Sequence, residues 1–177
     1  MGARPRRQSG QSIIELAIST PVLLLLMLGA FSVTVMVSDK VIAGYACRQG
    51  ARLAAEIGGA QTNPTATTAQ IDSNITKNVL AVARAMNYST LLEIDIYQPT
   101  GADGVYRPGV DPANRYDGNG ALIGGTGFPI SNRNQIPPAE TSIGVRLVWQ
   151  YNPPTSLASF SIQLSEYAVM KLSPVLL

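Results

Sequence analysis

Histidine is absent from all 177 residues, and cysteine occurs once, as Cys47. Without histidine the chain has no ordinary general base near neutral pH, no Ser-His-Asp triad, and lacks the commonest transition-metal ligand. A single cysteine excludes an internal disulfide and fits either redox compartment. Charge is sparse, at 14% of residues, and its excess lies at one end. Arg4, Arg6 and Arg7 stand in the first ten residues without an acid; with them set aside, Lys and Arg fall from 13 to 10 against 11 acids. A reader of phosphate backbones carries a basic stripe on its folded domain, so the nearly neutral body argues against nucleic-acid binding.

What the chain has in abundance is one apolar run. From Ile13 to Val37 it is mostly Ile, Leu, Val, Ala and Met. Twenty-five helical residues at about 1.5 Å each would cross a hydrocarbon core of about 30 Å with some tilt. Ser19, Thr20, Ser32 and Thr34 are tolerable there because hydroxyls bond back to the helix. Pro21 is expected to kink it, with Thr20 or a neighbouring helix serving the carbonyl that proline frees. The remaining length allows one modest domain of about 120 residues. Three arginines precede the run, whereas Asp39, Lys40, Arg48, Arg52 and Glu56 after it sum to +1. The positive-inside bias therefore places the N-terminus in the cytoplasm and everything beyond about residue 40 outside.

A removed signal peptide fits less well. Its apolar core would be shorter, and the best cleavage site, after Ala30, has bulky Leu28 at −3. A bare Arg6-Arg7 pair is a weak twin-arginine match. A plain signal anchor explains the span but leaves Glu15 without a purpose. A carboxylate costs about 2.5–3.5 kcal/mol at the centre of a membrane helix and less near the interface. Glu15 either sits at headgroup level or has a partner.

Counting from Gly10 gives that partner a form. "RRQSG" followed by "QSIIELAISTPVLLLLMLGAF" resembles the class III signal of type IV pilins and pseudopilins: a short basic leader, Gly at −1, Glu at +5, then the hydrophobic helix. Within that superfamily it is most similar to the TadE-like pseudopilins of the tight-adherence (Tad/Flp, type IVc pilus) system, both in Thr20-Pro21-Val22-Leu23-Leu24-Leu25-Leu26-Met27-Leu28-Gly29 and in Arg48-Gln49-Gly50-Ala51-Arg52. Leu16 stands where family members usually have an aromatic, and Gln11 where many type IV pilins have Phe. The resemblance covers about residues 4 to 57.

It implies a leader of residues 1–10, removed by a prepilin peptidase between Gly10 and Gln11, and an N-terminal transmembrane and assembly helix over 11–58. In pilins the +5 carboxylate pairs with the free N-terminal amine of an adjacent subunit, a role that would fall to Glu15. The resemblance further implies other pilin and pseudopilin subunits and the Tad inner-membrane assembly platform as partners. It places the chain in the bacterial inner membrane or in the pilus, with membrane lipid around its helix. It implies no cofactor, no metal and no catalysis.

Beyond the span, "SDKVIAGYACRQGARLAAEIGG" continues the helix. Ile42, Ala46, Gln49, Leu53 and Ile57 form one mainly apolar stripe, and Ala43, Cys47, Gly50 and Ala54 a track of uniformly small residues. Small side chains let a second backbone approach closely, so this track is expected to pack against the domain or a neighbouring helix. Gly58-Gly59 supplies a stop.

Residues 59–177 then read as a small extracytoplasmic α+β domain. An amphipathic helix is expected from about Thr65 to Asn87, with Ile71, Ile75, Val79, Val82 and Met86 inward and Asp72, Asn74, Lys77, Asn78 and Arg84 facing water. "LLEIDIY", "IGVRLVWQY" and "SFSIQLSEYAVMKLS" alternate as strands, the last with Phe160, Ile162, Leu164, Ala168, Met170 and Leu172 on one side. They make an antiparallel sheet of about three strands crossed by the helix. The Gly-, Pro- and Asn-rich connection of residues 98–142 is long enough to be functional or mobile.

Acid chemistry is thinly supported. Glu93 and Asp95 share a strand face and Glu140 lies in the loop, but no strong base, nucleophile or phosphate loop accompanies them, and alternating charge reads as a solvated sheet face. Asp103, Asp111, Asn114, Asp117 and Asn119 are oxygen ligands of the kind calcium prefers, at spacings that fit no EF-hand and in ordinary turn pairs. Tyr106, Arg107, Arg115 and Tyr116 offer either an adhesive surface or plain exposed turns. Two other functions stay open on the residues alone: an uncleaved single-pass protein with an exported ligand-binding domain, and, more remotely, an exported carboxylate-dependent hydrolase.

Overall fold

Helix-forming residues run almost without interruption from Ser9 to Ile57. In the computed structural model of the protein they form one helix, α1, of 49 residues, about 73 Å long at 1.5 Å per residue. The structure describes residues 9–62, 64–124, 127–153 and 161–175, with Ser9 and Gly10 described in backbone only. The leader arginines Arg4, Arg6 and Arg7 and the strand residue Phe160 lie outside the described residues.

A second helix, α2, spans Thr68–Ala83. It starts later than periodicity alone suggests because Thr67 and Gln70 close a capping box, each side chain accepting the other residue's backbone N–H, at 3.3 and 2.9 Å. It ends earlier because the N–H groups of Ala85 and Met86 turn to carbonyls three residues back, the tighter winding common at helix ends.

Four strands follow, all antiparallel: β1 (Ser89–Tyr97), β2 (Ala113–Asp117), β3 (Ser142–Tyr151) and β4 (Ile162–Lys171), in the order β2-β1-β3-β4. The architecture is α+β, with α1 and α2 layered on one face of the sheet. The strand beyond the expected three, β2, arises inside the long connection and pairs with Glu93–Tyr97 of β1. That connection also carries a short 3-10 turn, Ile130–Asn132, and buries Asn114, Tyr116, Phe128, Arg133 and Gln135. It is a packed part of the domain.

The alternating apolar residues of β1 and β3, Ile94, Ile96, Ile143, Val145, Leu147 and Trp149, are fully buried against Ile71, Ile75 and Val79 of α2 and against α1. On α1 the buried centre is Ala43, Ala46, Cys47, Gly50, Ala51 and Ala54. Of the apolar stripe read from the sequence only Ala46 is fully buried; Ile42, Gln49, Leu53 and Ile57 flank it half-buried. The reason is steric. Both α2 and the sheet press on α1, and a Cβ on Gly50 would lie 2.4 Å from a Val79 methyl and 3.3 Å from one of Val145. Only small residues fit where three layers meet.

Candidate functional site

From Gln11 to Phe31 every side chain of α1 is exposed, including Ile13, Ile14, Leu16, Ile18, Val22 to Met27 and Phe31. This 21-residue stretch is about 31 Å long, close to the hydrocarbon thickness of a bilayer. Soluble chains do not leave so long an apolar surface uncovered. Among the described residues one helix is long and apolar enough to cross a membrane, which fits single-pass anchoring, and its apolar part is the half of α1 that the domain leaves free.

Polar groups in this segment are handled within the helix. Thr20, Ser32 and Thr34 donate their hydroxyls to the carbonyls of Leu16, Leu28 and Ala30 in the i−4 pattern, at 2.7, 3.0 and 2.9 Å. Pro21 lies inside the helix and withholds the N–H that would meet the carbonyl of Ala17. Thr20 serves Leu16 instead, so the expected compensation by Thr20 does not occur. Glu15 is exposed, and its Oε1 accepts the side-chain amide of Gln11 at 3.0 Å, one turn earlier on the same face. The helical backbone includes Gly10, so the Gly10-Gln11 peptide and Glu15 lie at the same free end.

The domain first touches the helix at Ser32, whose carbonyl accepts the Tyr151 hydroxyl at 2.8 Å. Seven residues on, Asp39 is fully buried; it accepts the Asn87 N–H at 2.9 Å and the Ser89 hydroxyl at 2.5 Å. Its charge was counted above only toward orientation, and no sequence signal marks it as a tie. Above it lies the small track: Ala43, Cys47 and Ala54 have no exposure, and Gly50 faces Val79 and Val145. The Cys47 thiol donates to the Glu166 carbonyl at 3.3 Å, and burial pushes its pKa up to about 12, so it is a packing group rather than a nucleophile.

Two polar clusters in the domain differ from the sequence reading. Asp72, expected to face water, is completely buried; both its oxygens take the guanidinium of Arg133, at 2.6 and 2.9 Å, and one also accepts Asn114 at 2.6 Å and Tyr116 at 2.8 Å. The charge is admissible there because it is neutralised and its lone pairs are filled. The face carrying Glu93 and Asp95 is likewise not solvated at Asp95, which is fully buried. Arg146 reaches Asp95 at 2.8 Å, Arg115 bonds Glu93, and Tyr106 from the connection lies over Arg146 at 5.2 Å. Burial first, then the neighbouring Glu93, raises the Asp95 carboxyl to about 7. Glu93 is pushed up by burial too, but Arg115's hydrogen bond carries it below its ordinary range.

The oxygen ligands of the connection are dispersed. Asp103 pairs with Arg107, Asp111 accepts from Thr100 and the Arg107 backbone, Asn114 belongs to the Asp72 cluster, and Asp117 caps the turn at Asn119 and Ala121. Among the described residues no three acidic, cysteine or histidine side chains converge on a metal position. Of the four candidate adhesive residues, Tyr116 is buried, while Tyr106, Arg107 and Arg115 are engaged by Arg146, Asp103 and Glu93.

Residues 10–52 match the family model described as TadE-like protein. The matched stretch begins at Gly10, covers the whole free segment and ends within the small track at Arg52, leaving the sheet outside it. No curated protein and no solved structure matches the chain.

Proposed function

We propose that the chain is a pseudopilin or minor pilin of a Tad-type pilus, cut after Gly10 by a prepilin peptidase and assembled through its N-terminal helix at the base, shaft or tip of a fibre used in adhesion or secretion. The carrying observation is that the TadE-like match, residues 10–52, takes in the whole of the segment that the domain leaves bare together with the start of the track that packs on the domain. Two demands meet in that segment. As a monomer it needs lipid, and as a subunit it needs other helices; both are apolar surroundings.

Cleavage would leave an ammonium on Gln11, one helical turn from Glu15. In low dielectric an ammonium and a carboxylate attract far more strongly than in water, and each is costly to bury without the other. Among the described residues Glu15 has the Gln11 amide, a neutral donor. A second subunit's N-terminus supplies the missing charge. Pro21 breaks one internal hydrogen bond a turn and a half above Glu15 and gives the bare segment a point at which to bend when it packs. In this reading the N-terminus lies in the cytoplasm, the sheet domain lies on the far side of the inner membrane, and the assembly platform meets the helix at its free end. The protein acts by packing and catalyses nothing.

The test is Glu15→Ala in cells that carry the remaining pilus components. The variant is expected to enter the membrane and lose its leader as the parent does, yet to be missing from sheared or purified fibres and from cross-linked pilin complexes. Incorporation at the parental level would contradict the pairing.

A further inference from the structure

The domain stands on the helix by one end. α2 runs back along α1, so the turn leaving it, the end of β3 and the point where α1 becomes bare all lie together: Asn87 and Ser89 bond Asp39, and Tyr151 bonds Ser32. At the centre of this end is Tyr88. Its φ of 59° makes it the one non-glycine residue with positive φ among those described, an unusual state for a bulky side chain, which glycine would adopt without steric cost. The state is imposed from both sides: the residues before and after are tied to Asp39, and its own carbonyl accepts the Asn152 N–H at 2.7 Å.

Yet the ring is 53% exposed, and its hydroxyl makes no hydrogen bond among the described residues. The strained backbone thus presents a ring that is more than half open to the surroundings, with a hydroxyl unused among the described residues. Strain of this kind points to a use outside the local fold.

Height identifies the use. If the bare stretch Gln11–Phe31 fills the hydrocarbon, Ser32 lies at its outer boundary, and Asp39 stands about 10 Å beyond it along the helix axis, less when the helix tilts. Tyr88, fixed at the level of Asp39, is therefore beside the headgroup layer, where tyrosine is favoured because its ring is apolar and its hydroxyl polar. The exposed neighbours Asn87 and Asn152 are polar and can hydrogen-bond in that layer.

We propose that this end of the domain is a lipid-contacting surface, with Tyr88 resting in the headgroup layer of the membrane that α1 spans. The contact stops the domain from tilting on the helix while the subunit waits in the bilayer. It rests on the membrane-anchored reading of α1, and the experiment separates the two.

Cys47 is buried and inert, so single cysteines introduced elsewhere can be spin-labelled selectively. The full chain is prepared as Tyr88→Cys and, as a reference on the exposed face of α2, Asn74→Cys. Each is reconstituted into phosphatidylcholine and phosphatidylglycerol vesicles, floated, and compared for relaxation by oxygen and by a water-soluble nickel chelate. The proposal expects both proteins to float, with nickel access at position 88 several-fold below that at 74 and oxygen access above it. Flotation with equal nickel access at the two positions would overturn the lipid contact and leave the anchor standing. Failure to float would overturn both.

Discussion

The buried carboxylate of Asp39, on the long helix, holds the turn between the second helix and the first strand by accepting the Asn87 N–H at 2.9 Å and the Ser89 hydroxyl at 2.5 Å. It ties the domain to the helix seven residues beyond the first contact, at Ser32. Replacing Asp39 with Ala leaves a part-buried N–H and hydroxyl without their charged acceptor, and a loss of about 1–3 kcal/mol is expected. Denaturant unfolding of the detergent-solubilised protein measures it. An unchanged midpoint would show that the turn holds itself.

Arg133 and Asp72 make the second test. Arg133→Met strands a carboxylate in the core and should cost about 3–5 kcal/mol. Asp72→Leu combined with Arg133→Met removes both charges, and the double variant should lose clearly less than the two single losses added together. Simple additivity would mean that the pair is not coupled.

Acidity gives a prediction with a definite sign. The Asp95 carboxyl is raised to about 7 in the folded state, by burial and then by Glu93, from an ordinary 3.8. Between those values the unfolded chain has released a proton that the folded chain keeps, so stability falls as pH rises through that window, and the loss is complete above it. Glu93, shifted downward, acts below its ordinary 4.5 and leaves the range from 5 to 8 to Asp95. Melting temperatures measured across pH 5 to 8 should decline for the parent and decline less for Asp95→Asn. Parallel curves would contradict the assignment.

Two glycines of the same helix should behave oppositely. Gly50→Leu drives a side chain into Val79 and Val145, and overpacking of this kind costs about 1–3 kcal/mol. At Gly29 nothing lies within 4 Å of an added Cβ, so Gly29→Leu should shift the stability of the isolated subunit by less than about 0.5 kcal/mol. Thermal melts of the two variants in detergent decide it, and a similar loss at both positions would place the bare segment inside the fold.

What could be read in the sequence was whatever the chain writes locally. The long helix, the apolar span and the strands at Leu91–Tyr97 and Ile143–Tyr151 follow from periodicity, whereas a leader ending at Gly10 and a pairing role for Glu15 are implied only by the resemblance to pilins. Asp72 was misread because it lies one position from Ile71 at the edge of the apolar stripe, while the guanidinium that neutralises it is 61 residues away in irregular chain. β2 was missed for a related reason: its inward residues are Asn114 and Tyr116, polar groups that face the core only because Asp72 is there to receive them. Asp95 looked solvated because the Tyr106 that shields its Arg146 partner comes from a loop without periodicity. Asp39, next to Lys40, resembled any charge that follows a membrane span.

The central claim is that residues 1–10 are a leader and that Glu15 becomes the fifth residue of the working subunit. Intact-mass measurement of the membrane-extracted protein, from cells with and without an active prepilin peptidase, tests it most directly. The account predicts a chain beginning at Gln11 when the peptidase is present and the full 177 residues when it is absent; recovery of the uncut chain from both would contradict it.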